Sequence, residues 1–292
     1  MTQTWPAAPT LPPANWYPDP SGVAELRYWN GWSWTIHVVV DSRVETRPMP
    51  PPPPPAVTPS VEQQWRLPPR AAVIALIGFV VGIGAAVGLE LVGELLGLPR
   101  LARLLLAQAG LWAGLLGAVY EVSRRFGTGH LIQDFRVRAG WPGVGWGLLM
   151  SFAARVAAGI AVAIVIVISR RFAGTNDDDL RAYDTDPIGF VIIALLVVVG
   201  APIVEELFFR GVVQGALLDS IGTAGTIGLQ AVLFGLVHFD PLYGLGNVAV
   251  VTGIAAAGVI FGITVRLKGL GPSMFAHSFF NLVAVLATLA VA

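Results

Sequence analysis

The 292-residue chain contains no cysteine, which excludes disulfides, thiol nucleophiles and thiolate metal sites. Charge is also scarce: 12% of residues are Asp, Glu, Lys or Arg, and 18 bases balance 18 acids. A net charge of zero leaves no basic footprint, so no nucleic-acid partner is expected. The N-terminus lacks a basic stretch leading into an apolar core, so no cleavable signal peptide is expected. The internal repeat found in many transporter folds is missing too. Apolar residues are what the chain has in excess: 55% of residues are hydrophobic, with a mean hydropathy of +0.70, in runs long enough to cross a bilayer. A soluble single domain is excluded. The expected fold is all-α, a polytopic transmembrane helix bundle of about seven spans, or eight, behind a small N-terminal module and a linker.

Three regions follow from composition: a Trp-rich module over 12–40, a Pro-rich linker over 41–69 and a membrane domain over 70–292. Residues 15 to 37 read NWYPDPSGVAELRYWNGWSWTIH, with Trp16, Trp29, Trp32 and Trp34 close together. Asp19-Pro20-Ser21-Gly22 and Asn30-Gly31 are turn signals, and Leu26 to Trp29 suits a short strand between them. The pattern W-Y-x-D-P followed by R-Y-W-x-G-x-x-W-T resembles a short Trp-rich domain of unknown function found ahead of bacterial membrane domains. That resemblance implies no activity; a Trp cluster of this kind is either a docking surface for a protein partner or a passive cap. Six consecutive prolines at 50 to 55 make the linker an extended spacer of polyproline II type, or a ligand for a proline-binding domain.

Hydropathy places spans near 71–97, 101–122, 142–169, 188–215, 222–239, 244–265 and 270–291. With the N-terminus inside, eight flanking basic residues face the cytoplasm and five do not, which favours a cytoplasmic N-terminus. The loop from 173 to 187 carries Asp177, Asp178, Asp179, Asp184 and Asp186 and reads as a solvated outer loop. Gly78 and Gly82, Gly110 and Gly114, and Gly258 and Gly262 have the small-xxx-small spacing that lets helices approach. Arg155 lies well inside the third span and is expected to pair with an acid, Glu206 or Glu94, or with a substrate carboxylate. Glu90 and Glu94 are expected to form an interfacial ion cluster with Arg100 and Arg103.

The remaining polar residues are few enough to be informative singly. Between Ile188 and Ala292 the charged side chains are Glu205, Glu206, Arg210, Asp219, Asp240, Arg266 and Lys268, and the histidines are His238 and His277. Ionisable groups at bilayer depth persist mainly where they pair, line a cavity or do chemistry. Glu206 and Arg210 are i and i+4 and stack as a salt bridge, whereas Glu205 points about 100° away with no countercharge on its own helix. Pro202 exposes a carbonyl one turn back for a polar group to satisfy. A turn at Ile221-Gly222 sets Glu205 and His238 at equal depth, each roughly 25 Å along its helix. His277 and Asn281 share a face of the last span, but His277 lies only about 10 Å from its own loop. Equal depth therefore requires tilt, or a hairpin that projects beyond the bilayer.

Glu-Glu-x-x-x-Arg at 205–210, Phe-x-x-x-His at 234–238 and His-x-x-x-Asn at 277–281 occur once each, in order, on three spans. Together they resemble the CAAX-protease and bacteriocin-processing family of intramembrane endopeptidases, over roughly Phe126 to Ala292. The resemblance implies that Glu205 and His238 activate the attacking water, that His277 and Asn281 stabilise the oxyanion, and that Glu206 and Arg210 are structural. It implies no obligatory cofactor, although Glu205, His238 and His277 would also serve as zinc ligands, with Asn281 behind them. The implied substrate is a peptide or membrane-protein segment entering from the bilayer, and the implied location is a bacterial plasma membrane. Rival readings are a scaffold or immunity-type protein braced by the same residues, and a proton-coupled transporter.

Overall fold

The computed structural model describes residues 12–49, 66–170, 181–183, 186–239 and 247–291. It divides into two compact units, one up to Thr58 and one from Pro59 onward. The hexaproline run, Asp177, Asp178, Asp179, Asp184 and Asp240 lie outside the described residues.

In the first unit, β1 (Asn15–Pro18), β2 (Leu26–Trp29), β3 (Trp34–Val40) and β4 (Arg43–Thr46) form one antiparallel sheet in that order. The Asn30 side chain closes the β2–β3 turn by accepting from the backbone N–H groups of Trp32 and Ser33. The sheet continues past the expected boundary at residue 40. Asp41 and Ser42 have φ values of 47° and 61°, the pair of positive angles that a two-residue type I′ hairpin needs, and they fold β4 back on β3.

So small a sheet encloses little hydrocarbon. Val38 is its one fully buried apolar side chain among the described residues, and Arg27 is equally buried beside it. Arg27 Nε and Nη2 lie 2.9 and 3.4 Å from the two Asp19 oxygens, and Nη1 donates to Thr35 O and Arg47 O. The hydrogen bond from Arg27 holds the Asp19 carboxyl well below the usual range, at about 2. These are the Asp and Arg of the Trp-rich pattern, so the pattern encodes a polar core.

In the second unit the helices are α1 (Arg70–Leu95), α2 (Arg100–Phe126), α3 (Leu131–Asp134), α4 (Trp141–Ser169), α5 (Pro187–Leu236), α6 (Asn247–Lys268) and α7 (Leu270–Val291). All except the four-residue α3 are long and apolar enough to cross a membrane. Asp186 caps α5 by accepting from Ile188 N–H and Gly189 N–H.

The 50-residue α5 breaks at Gly222, where φ is 69° and ψ is 177°, a region essentially closed to other residues. The chain reverses there. The rings of Phe209 and Phe234 are 5.3 Å apart, whereas an unbroken helix would separate these residues by about 37 Å. The two arms of α5 raise the six long helices to seven segments, the expected number, with ends close to those anticipated.

The arms also resolve the depth problem. Leu67 N–H, just before α1, donates to Gly215 O, and Arg66 pairs with Asp219 at 2.7 Å. The hairpin tip therefore overshoots the start of α1 by roughly 10 Å, the rise from residue 215 to 222. Elsewhere backbones touch: a Cβ on Gly114 would lie 2.4 Å from Gly82 Cα, so the α1–α2 contact requires both glycines. Gln214 and Gln230 donate to the carbonyls of Gly262 and Gly258, fastening α5 to α6. The interfacial cluster forms as expected at Arg103, 3.4 Å from Glu90 and 3.9 Å from Glu94.

Candidate active site

The polar residues gather where the first arm of α5 meets α7. Glu206 is completely buried, with each oxygen engaged: Oε1 lies 3.0 Å from Arg210 Nη1 and 3.1 Å from His277 Nδ1, while Oε2 accepts from Ser273 Oγ at 2.7 Å. Ser273 Oγ also lies 3.1 Å from Phe261 O. The expected Glu206–Arg210 pair is thus present, and two partners from α7 join it.

Glu205 differs in both exposure and company. Its side chain is 19% exposed against 0% for Glu206, and its Oε2 is 3.8 Å from His277 Nε2. His277 therefore stands between the two carboxylates, with Nδ1 on Glu206 and Nε2 facing Glu205. Because a carboxylate only accepts, the Nδ1 contact places a hydrogen on that nitrogen. The ring is also clamped, stacked on Phe261 at 4.9 Å and edge-on to Phe234 at 5.5 Å.

His238 also packs edge-on to Phe234, with ring centroids 5.0 Å apart. Its Nδ1 is 2.7 Å from Phe234 O, a carbonyl that can only accept, so the neutral ring presents its lone pair at Nε2. Glu205 and His238 share no hydrogen bond among the described residues; Phe234 packs against both histidine rings.

Asn281 is not turned toward His277. Its Nδ2 donates to Val197 O at 2.8 Å, and the reason lies in the backbone of α5. Residues Leu196–Gly200 form a π turn in which Ala201 N–H donates five residues back to Leu196 O. In that register Val197 O would receive from residue 202, a proline with no N–H. Asn281 thus satisfies a carbonyl orphaned by Pro202, the kind of partner the sequence predicts for it. A second π stretch, Glu206–Val213, follows after the five α-helical residues Ala201–Glu205. Single π turns inside helices recur at functional sites, and here two flank Glu205.

Arg210 is buried among aromatic rings. Its guanidinium carbon is 4.1 Å from the centre of Phe234, 5.4 Å from Phe261 and 5.9 Å from Phe209. Although Nη1 is 3.0 Å from Glu206, no guanidinium N–H is aligned for a hydrogen bond with an acceptor among the described residues. Among the described residues Arg155 pairs with no acid: its Nη2 reaches Phe280 O, and its guanidinium lies 4.1 Å above the Phe280 ring.

The motif residues lie on separate segments, and the fold brings Glu205, Glu206, Arg210, His277 and, across one ring, His238 into one buried cluster. Residues 187–283 match the family of type II CAAX prenyl endopeptidase Rce1-like proteins. The Rce1-like region takes in α5, α6 and most of α7, with all seven motif residues, and leaves α1 to α4 outside. It is shorter than the stretch from Phe126 over which the sequence resemblance runs. Residues 14–57 match a family of proteins of unknown function, DUF2510, which extends the N-terminal resemblance through β4. No curated protein and no solved structure matches the chain.

Set in a bundle of apolar helices, the Rce1-like region supports a CAAX-protease-like intramembrane endopeptidase, an integral membrane protein with a peptide or protein substrate. Among the described residues no group of three or more His, Asp or Glu side chains is gathered as a metal ion requires, so Glu205, His238 and His277 do not stand as a ready zinc site.

Ser273 is the residue that sequence reasoning misses. One serine in an apolar helix carries no signal by itself, but it lies i−4 to His277, and that spacing puts it on the same face as the motif histidine.

Proposed function

We propose that the protein hydrolyses peptide bonds of membrane-associated substrates by direct attack of water, in the manner of CAAX prenyl endopeptidases. One observation carries the proposal: within the Rce1-like region, His277 lies between a fully engaged carboxylate, Glu206, and a more open one, Glu205. Glu205 acts as general base on the water, and the free Nε2 of His238 orients it. The tetrahedral intermediate places negative charge on the former carbonyl oxygen. With Nδ1–H committed to Glu206, His277 donates to that oxygen through Nε2 as an imidazolium, balanced by the carboxylate behind it. Asn281 keeps one amide N–H on Val197 O and offers its second to the same oxyanion. Glu206, Arg210 and Ser273 hold the donor ring still. Proton transfer from Glu205 to the leaving amine completes the cleavage.

The setting we assign is a bacterial plasma membrane with the N-terminus in the cytoplasm. The substrate class is a peptide segment that enters the bundle from the bilayer, such as an exported peptide or a membrane-bound regulator.

The test is cleavage of a fluorogenic peptide library by detergent-solubilised protein, wild type beside Glu205→Gln. The variant should lose about 10²- to 10⁴-fold in rate while its melting temperature stays unchanged. Activity that survives in Glu205→Gln removes the proposed base, and a folded wild type that cuts nothing favours the scaffold reading.

A further inference from the structure

The Trp cluster of the N-terminal module has no part in the hydrolytic site, yet it makes a specific set of contacts. Trp29 Nε1–H donates to Pro12 O at 3.0 Å, and Tyr17 Oη–H donates to Pro13 O at 2.9 Å. The two donors come from adjacent strands, β2 and β1, and both rings pack against Trp34, at 5.2 and 6.2 Å. Three aromatic side chains thus form one shelf, whose donors satisfy the carbonyls of two consecutive prolines.

That pairing has a chemical logic. A proline strand has no N–H groups, so along its backbone it offers only acceptors, and it is already extended, so ordering it costs little entropy. Indole and phenol groups supply the donors, and their rings supply flat apolar surface for the pyrrolidines. Aromatic grooves recognise polyproline II segments by this combination. Arg27, the cross-strand neighbour of Tyr17, is committed to Asp19 and two backbone carbonyls. Trp32, in the turn that joins the strands of Trp29 and Trp34, is 83% exposed, a large apolar ring held out where a longer strand would pass.

We propose that the module is a binding site for a proline-rich segment of another polypeptide, laid as a polyproline II strand across Tyr17, Trp29 and Trp34 with Trp32 at its edge. Pro12 and Pro13 show how such a strand lies. They hold the place in the isolated chain, and the ligand takes it by exchange. A tethered competitor of this kind lowers the apparent affinity by the fraction of time it occupies the shelf.

Calorimetric titration of the full-length protein in detergent tests this, with a synthetic peptide carrying six consecutive prolines as the probe and a Gly-Ser peptide of equal length as control. The proline peptide should bind and the control should not. Tyr17→Phe and Trp29→Phe each remove one donor and keep a ring, and should weaken binding about three- to tenfold. Trp32→Ala, at an exposed position that the fold does not need, should weaken it as well. Deleting residues 1–13 should strengthen it. Binding of both peptides alike, binding by neither full-length nor shortened protein, or unchanged affinity in all three substitution variants overturns the proposal. A variant with Pro50–Pro55 replaced by serine separates the sources. If the peptide binds only that variant, the chain's own run is the occupant and assignment to another polypeptide fails.

Discussion

Among the described residues two arginine–carboxylate pairs are fully buried, and they are built in opposite ways. In the module, Arg27 meets Asp19 through two nitrogens and donates from the third to Thr35 O and Arg47 O. In the bundle, Arg210 approaches Glu206 through one nitrogen and otherwise faces aromatic rings. In the first pair every nitrogen of the cation is hydrogen-bonded, and the cation is the hub. In the second the carboxylate is the hub, dividing two oxygens among Arg210, His277 and Ser273. A saturated buried network fixes a fold. One centred on a carboxylate that holds an imidazole in place can also take part in chemistry. Burial of a charge pair therefore says little about its purpose until the donors on each side are counted.

The comparison can be broken first at the saturated pair. Arg27→Met leaves Asp19 buried and unpaired, and should cost about 3–5 kcal/mol of module stability, read as lost Trp near-ultraviolet dichroism on heating, with peptide cleavage retained. Glu206→Gln should cost the bundle about 3 kcal/mol and leave slow cleavage. If it instead matches Glu205→Gln in both stability and rate, the division between the two glutamates is wrong.

Acid sharpens the contrast more gently. The Asp19 carboxyl has a folded pKa of about 2 against an ordinary 3.8, so its stabilisation is complete above pH 4 and disappears as pH falls through about 2. An acid titration should remove about 2 kcal/mol from the module over that window, and Asp19→Asn should flatten the dependence. The smallest effect is expected at Ser273→Ala, which takes one of three donors from Glu206 and should cost about 1.5 kcal/mol of bundle stability, measured by thermal unfolding in detergent.

Much of the bundle is legible in the sequence because lipid demands it. Unbroken apolar runs can only be spans, and the break at Gly222 is visible as a fall in hydrophobicity. The Glu206–Arg210 pair follows from helical spacing, and the need for a partner at the carbonyl orphaned by Pro202 follows from the missing N–H. What supplies that partner does not follow, because the π turns at Leu196–Gly200 and Glu206–Val213 leave no periodic mark and depend on contacts with α7. For the same reason the spacing puts Asn281 on the face of His277 without showing that its amide donates to Val197 O. The position of β4 was hidden differently: DSRVETR has no apolar alternation, and its turn uses positive φ at Asp and Ser without glycine. Ser273 and the placement of His277 between two acids belong to tertiary structure alone, since Glu206 and Ser273 are 67 positions apart.

That separation has a consequence for how the membrane receives the chain. During synthesis Glu206 is made well before its later partners, Ser273 and His277, which follow 67 and 71 residues behind it. At that moment the one countercharge fixed at helical contact distance is Arg210, one turn away on the same segment. A charge at the centre of an inserting helix costs about 2.5–3.5 kcal/mol on insertion scales, and an adjacent opposite charge lets the two enter as a neutral unit. The pair is thus a passport for α5 first and a part of the site only later, when α7 arrives and two further partners close on a carboxylate already in place.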